Sequence, residues 1–537
     1  MKAFIEFQQY KKCIVLLIVG TICSISALII FLIDPVKTVL ASKLRMAPGS
    51  LAFTLWMKPP LDIFFYVYIF NITNAEAFQN GEEKLKVEEI GPYVYQEFLE
   101  NGNITWNDNN TISYVPKRTL IFRPDLSVGQ PEKDYVTVPN IPMLGISSAL
   151  YKSGFFINYS FSQLASYLGS EPILNVTLYD YLWGYDDRLV QLAGSVVPSY
   201  INFHKFGLLD RIYDEGENLL NMNINNNNDM INEENRYLSI ESINGSPGLS
   251  HWGYVQIEGN ETRPENTKCN QIRGVTEGTI FPSQLDSKAV FRVYRKAFCR
   301  PMPIVFVKEV NWEGLLGYQY TLSADFADPP ELNPDNACYC FKGECMKKGL
   351  MNLTPCYYKI PTAASLPHFL DADPSLYDGI EGLNPDPKKH SSIIIIQPNI
   401  GIPMYVHSRL QTNLIMKETV YNSKIKPFNS LTVPLFWTDL VVTSLPDDLA
   451  FLIKFAVVIM PVVQVMFIIC LAIGGAGTIC WSLVRFLMIL QQKRQDALDM
   501  ESHENADLRL PLGYGQYTAI RILPTIKKIT SKTDLFA

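Results

Sequence analysis

Positive charge is scarce in this chain. Its 537 residues carry 46 Lys and Arg against 53 Asp and Glu, a formal net charge of −7, and charged residues make up only 18%. Without a basic face for phosphates, a nucleic-acid partner is excluded. Catalytic signatures are missing too: no G-x-S-x-G elbow, no H-E-x-x-H, no G-x-x-x-x-G-K-[ST], and no G-x-G-x-x-G after a strand. The histidines between the two ends (His204, His251, His368, His390 and His407) are scattered and read as structural groups rather than general bases. Asp186-Asp187 beside Arg188 reads as a helix cap or salt bridge, since adjacent carboxylates seldom converge on one substrate atom. The chain is therefore read as no enzyme, with no cofactor and no metal. It also lacks internal repeats and long Pro/Gly/Ser linkers, and 47% apolar residues exclude disorder as its main state.

Hydrophobicity is concentrated at the ends. Cys13 to Ile33 contains no charge and as a helix would be about 31 Å long, the thickness of a bilayer core. A signal peptide cut after Val39-Leu40-Ala41 is the competing reading, but the run is too long for an h-region and Asp34-Pro35 separates it from that site. Phe455 to Val484 is likewise uncharged, interrupted by Pro461 and by Gly474, Gly475 and Gly477. Lys11 and Lys12 precede the first run, and Arg485, Lys493 and Arg494 follow the second, so both termini are expected in the cytoplasm. The expected organisation is a cytoplasmic N-terminus at 1–12, a transmembrane helix at 13–33, an extracellular or lumenal domain at 34–451, a second transmembrane helix at 452–484, and a cytoplasmic tail at 485–537.

Two features agree with that topology. Asn-x-Ser/Thr sequons occur at Asn71, Asn103, Asn109, Asn158, Asn175, Asn244, Asn260 and Asn352, all between the two runs. A proline after the sequons at Asn244 and Asn352 disfavours those two. Cys269, Cys299, Cys338, Cys340, Cys345 and Cys356 cluster in the same region and read as three disulfides of an oxidising compartment, with pairing left open by spacing alone. Zinc competes poorly, because Cys338-x-Cys340 is a bad ligand spacing and no histidine lies within the cluster. Strand-like runs at Ile63–Phe70, Tyr93–Phe98, Thr111–Val115, Ile304–Val310, Tyr318–Leu322 and Ile393–Ile396 surround helical signals between Ile146 and Val197. Asn221–Asn235 reads as an asparagine-rich surface loop.

Short blocks then follow in a fixed order: Phe70-Asn71-Ile72-Thr73-Asn74, Glu88-Glu89-Ile90-Gly91-Pro92-Tyr93-Val94-Tyr95, Val138-Pro139-Asn140-Ile141-Pro142 and Leu182-Trp183-Gly184-Tyr185. After them come Cys269-Asn270, Phe281-Pro282, Cys299-Arg300, Asn336-Ala337-Cys338-Tyr339-Cys340, Leu366-Pro367-His368-Phe369-Leu370 and Ala372-Asp373-Pro374. In this order between two terminal spans they resemble the class B scavenger receptor family. The resemblance implies an α+β fold: two transmembrane helices flanking a large ectodomain, with an antiparallel β-barrel core and a helical-bundle tip far from the membrane. It implies disulfides Cys269–Cys338, Cys299–Cys356 and Cys340–Cys345. It also implies a tunnel through which a lipid ligand (fatty acid, sterol, carotenoid or lipoprotein cargo) reaches the membrane. The tunnel-lining residues cannot be named from the sequence.

The chain departs from the family where relatives carry a basic tip. Ile146–Val197 has Lys152 and Arg188 against Glu171, Asp180, Asp186 and Asp187, with Gly169-Ser170-Glu171-Pro172 in place of lysines. A neutral lipid or a protein ligand at the tip becomes as strong an expectation as an anionic particle. In the tail, Tyr517-Thr518-Ala519-Ile520 fits an endocytic Tyr-x-x-aliphatic signal, and Cys13 and Cys480 are candidates for palmitoylation. The expected residence is the plasma membrane, with endosome or lysosome as the alternative. The competing functions are a two-span ion channel subunit with Gly474–Gly477 lining a pore, a lysosomal membrane receptor for a protein partner, and a membrane-tethered hydrolase.

Overall fold

The computed structural model describes residues 2–199, 201–213, 218–225, 237–256 and 263–507. It divides into two compact units, residues 1–34 with 463–537, and residues 35–462.

The first unit is a pair of helices. Lys2–Ile33 is one continuous helix, and its partner lies within the helix Met460–Asp507. Each carries an 18-residue window of mean hydropathy 2.8, yet side chains such as Leu32 and Ile473 remain exposed. A surface of that kind suits hydrocarbon rather than water. With no hydrophobic drive between helices in lipid, contact depends on small residues and interhelical hydrogen bonds. A Cβ on Gly20 would lie 2.5 Å from Thr478 Oγ1, and one on Gly475 would lie 2.5 Å from Ser24 Oγ. Ser482 Oγ donates to the Cys13 carbonyl at 2.7 Å, and Gln464 Nε2 donates to Asp34 Oδ1 at 3.0 Å. The expected interruption at the glycines does not occur. The helix runs through Gly474, Gly475 and Gly477, because in a bilayer the backbone must stay hydrogen-bonded. Pro461 is accommodated by a π-helical turn, Phe455–Ile459, just before it.

The second unit is a large antiparallel β-rich domain. Around its sheet the strands run Phe291–Val293, Met302–Trp312, Leu315–Leu322, Ile393–Gln397, Ile402–Ile415, Thr432–Val442, Ile63–Ile72, Leu85–Asn107, Thr111–Phe122, Leu220–Asn223 and Ile240–Ile243. All neighbours on this path are antiparallel. The two end strands do not stay open. Ile240 N–H donates to the Val275 carbonyl at 2.7 Å, Thr276 N–H donates to Arg292 O at 2.8 Å, and Tyr294 N–H donates to Thr276 O at 2.9 Å. The pair Val275-Thr276 thus closes the sheet into a barrel and satisfies edges that would otherwise pair with another chain.

Alternation sets which side chains face inward. In Ile63–Ile72, Ile63, Phe65 and Val67 are buried while Phe64, Tyr66 and Tyr68 are half-exposed. The Tyr93–Phe98 run is the middle of a 23-residue strand, whose Gly91-Pro92 and charged flanks concealed its length. The helices Ile141–Ala149, Phe155–Tyr167, Leu178–Trp183, Arg188–Val196 and Leu208–Tyr213 gather beside the barrel. Their starts follow capping chemistry: Asn140 accepts from Met143 N–H, Thr177 from Asp180 N–H, and Asp187 from Val190 N–H. Between them runs a hairpin that the sequence did not suggest, Tyr135–Pro139 against Ile173–Thr177. One continuous core joins barrel and helices, with Val67, Ile69, Leu144, Leu182, Leu209 and Phe436 fully or almost fully buried.

Candidate functional site

Inside the barrel lies a cavity with about 1200 Å³ of free space, its open mouth included. Strand alternation builds its wall: Ser408, Leu410 and Thr412 come from one strand, and Phe436, Thr438 and Leu440 from the next. The lining is mainly aliphatic and aromatic. Its charged members are Arg118, Arg211 and Arg295, with no carboxylate among the described lining residues.

The carboxylates stand behind the wall. Arg118 NH1 lies 3.2 Å from Glu97 Oε1, and its NH2 lies 3.0 Å from Glu277 Oε1. Tyr213 OH donates to Glu97 Oε2 at 2.9 Å, and Tyr114 OH donates to Glu277 Oε2 at 2.8 Å. The ion-paired side chains are at most 8% exposed, and such charges persist only when paired and hydrogen-bonded. Burial, and then the neighbouring carboxylate, push both phenols well above their ordinary value. Tyr114 also packs edge-on against Trp56, with ring centroids 4.6 Å apart. Trp56 lines a second apolar pocket with Leu55, Leu61, Ile402 and Leu449. A buried polar network therefore stands between two apolar compartments.

A second polar cluster joins residues distant in sequence, with His368 and His390 buried and Glu89 exposed. His368 Nε2 lies 2.5 Å from Glu89 Oε2, which also accepts from Trp437 Nε1 at 2.7 Å. The His390 ring stacks on His368 at 4.5 Å, so two of the histidines read as scattered in fact form a pair. Glu89, His368 and His390 have the composition of a metal site, but the hydrogen bonds of both rings oppose it. His368 Nδ1 accepts from Asn384 N–H at 3.0 Å, and His390 Nδ1 accepts from Asp386 N–H at 2.9 Å. Each ring must therefore carry its proton on Nε2, which leaves no lone pair there for a cation. Burial, and then the neighbouring His368, push the His390 imidazole down to about 4. Burial alone would raise Glu89, but the His368 and Trp437 hydrogen bonds outweigh it and hold the carboxyl below its ordinary value.

The remaining sequence candidates are dispersed. Disulfides join Cys269 to Cys338, Cys299 to Cys356 and Cys340 to Cys345. Asn103, Asn109, Asn175 and Asn244 are exposed, while Asn71 and Asn158 are half-buried. Asn352 is buried and its Nδ2 faces the Tyr339 carbonyl, so the nitrogen a glycan needs is enclosed. Asn260, Tyr517 and Ile520 lie outside the described residues. Cys13 is buried and Cys480 exposed. Asp187 caps its helix and Asp186 pairs with Lys205 at 3.1 Å. Of the acids of Ile146–Val197, Glu171 pairs with Lys424 from elsewhere, while the segment's own Lys152 is paired with Glu344, which Lys417 and Tyr151 also meet. Neither the cavity arginines nor the histidine pair was foreseen. Only the in-and-out period of the strands hinted at their direction.

Two apolar helices long enough to cross a bilayer and a closed antiparallel domain with an apolar interior define a two-span membrane protein of receptor type. Residues 16–486 match the CD36 family, and the chain belongs to it. It is 29% identical over 422 residues to Scavenger receptor class B member 1 of Bos taurus, covering 78% of each chain. It is 30% identical to the Mus musculus protein of that name over 403 residues, 75% of each. To Lysosome membrane protein 2 of Homo sapiens it is 30% identical over 383 residues, 70% of this chain and 74% of the other. Its family is one of receptors, not enzymes.

Proposed function

We propose that this CD36-family protein binds lipids in the barrel cavity and passes them to the membrane. The observation that carries the reading is the mainly apolar cavity, where Phe65, Phe206, Leu410 and Phe436 offer an acyl chain or ring system a site away from water. Burial is worth about 0.8 kcal/mol per CH₂, so an aqueous crossing by a long chain is slow unless it is sheltered. The second pocket lies beside Pro59, Pro60 and Leu449, near the points where the chain enters and leaves the domain, and suits a later station on the path. The ligand classes are fatty acid, sterol, carotenoid, or lipid drawn from a lipoprotein. Residues 13–33 and 452–484 would span the plasma membrane with both termini cytoplasmic. The exposed sequons would carry glycans outside, Cys480 would accept a palmitoyl group, and Tyr517 with Ile520 would direct endocytosis.

The test is native mass spectrometry with lipid extraction on the purified full-length protein. Stoichiometric lipid, lost when Ala364→Trp fills the cavity, is the expected result. A lipid-free protein that also takes up no offered fatty acid, sterol or carotenoid would overturn the reading. A second reading, a protein ligand on the helical segment, is favoured by Phe156 and Tyr167, which are 82% and 86% exposed on one helix.

A further inference from the structure

We infer that Arg295 is a headgroup anchor and that the barrel cavity selects amphiphiles bearing a carboxylate over neutral lipids with the same apolar chain. The inference rests on the cavity reading above and adds to it a charge preference and the residue that sets it.

The starting point is a hydrogen-bond account of the buried network. Glu97 and Glu277 together offer four carboxylate oxygens. Two are taken by Arg118, one by the Tyr213 hydroxyl and one by the Tyr114 hydroxyl. Arg295 lines the same cavity and senses the same two carboxylates and the Arg118 charge. Yet no side chain among the described residues makes an ion pair or hydrogen bond to its guanidinium. A guanidinium carries five N–H donors and no acceptor, and leaving it desolvated without an anion is costly. Desolvation, and then the like charge of Arg118, lower its proton affinity below the ordinary arginine value. Both effects are relieved by an anion placed in the cavity.

The other cavity cations do not compete for this role. Arg118 is held between two carboxylates, and Arg211 pairs with Asp210 and lies over the Phe203 ring, 4.3 Å from its centroid. The lining of the same cavity also fits an amphiphile: Phe298, Leu353 and Leu440 offer apolar surface, and Thr438 a hydroxyl. A planar carboxylate matches the fork of a guanidinium in two parallel hydrogen bonds. An alcohol or an ester offers no negative charge to replace the lost hydration.

The experiment compares oleate with oleyl alcohol, which share a chain and differ in headgroup. Full-length protein in nanodiscs of zwitterionic lipid is titrated with each at about pH 8, where the carboxylate is ionised. Wild type is expected to bind oleate about tenfold to a hundredfold more tightly, the range for a hydrogen bond to a charged group. Arg295→Gln should abolish the preference by lowering oleate affinity far more than that of the alcohol, while Arg295→Lys should retain most of the preference. A purely structural role would move both ligands together. Equal binding of the two by wild type would overturn the anchor while leaving the cavity reading intact, and needs no variant to fold. A preference that survives Arg295→Gln would also overturn it. If neither ligand binds, the cavity reading itself fails, and the anchor with it.

Discussion

The two polar clusters of the β domain are satisfied differently, one fully buried and the other with its carboxylate, Glu89, at the surface. Around Arg118, one guanidinium and two phenols contact all four oxygens of two carboxylates, and a second guanidinium faces an apolar cavity. Around Glu89, one carboxylate gathers an imidazole and an indole donor, while backbone N–H groups fix both imidazole tautomers. The second cluster is closed upon itself and ties the strands Leu85–Asn107 and Thr432–Val442 to the loop holding His368. The first has donors to spare. Buried polar groups thus serve structure when every donor has an acceptor, and become candidates for ligand binding when the count does not balance.

The sharpest way to break this contrast is to remove a carboxylate from the charged network. Glu97→Ala leaves Arg118 and Arg295 with one carboxylate between them and should cost about 3–5 kcal/mol, read by chemical denaturation. A loss below ~1 kcal/mol would mean that water already shares the site. In the closed cluster, Glu89→Ala removes two hydrogen bonds and leaves the Trp437 and His368 donors orphaned, for a loss of about 1–3 kcal/mol. Cavity binding should be unaffected, so a shift in ligand affinity would show the clusters to be coupled.

Acid distinguishes them next. The His390 imidazole is held near 4 when folded, below its unfolded value of 6.5. Between those values the unfolded chain binds a proton that the folded one refuses, so stability is full above about pH 6.5 and falls as pH drops toward 4. From pH 7 to 5 this group should cost about 1 kcal/mol after allowance for screening. His390→Gln should flatten that part of the stability–pH curve, and an unchanged slope would refute the assignment. The Glu344 carboxyl, held down to about 2 by Lys152, Lys417 and Tyr151, is silent there, since its contribution is lost only below its unfolded value of 4.5. The smallest effect belongs to the surface: Glu171→Gln breaks a half-exposed pair with Lys424 and should change stability by less than about 1 kcal/mol. A larger change would give that contact a share in holding the helical segment.

Local chemistry made some features readable in advance. Asp187 could be assigned as a helix cap because capping uses neighbours along the chain. The strand at Ile63 announced itself by alternation, and the terminal helices by uncharged runs that only hydrocarbon would accept. The hairpin Tyr135–Pro139 with Ile173–Thr177 was hidden because its halves are 33 residues apart and short. The pair that Glu171 of the acidic segment Ile146–Val197 makes was hidden for a related reason. Its partner, Lys424, lies 253 residues further along the chain.

By itself the sequence determined the two apolar spans, the β-rich domain between them, the oxidised cysteines and the family blocks, all properties carried by composition or by residues close along the chain. The tertiary structure alone decided that Val275-Thr276 closes the barrel, that His368 reaches Glu89 while its ring stacks on His390, and that Arg295 faces an apolar cavity beside acids paired with Arg118. These depend on groups brought together over separations of up to 279 residues. No local pattern encodes them, because each arises where strands distant in sequence aim their inward side chains at the same buried space.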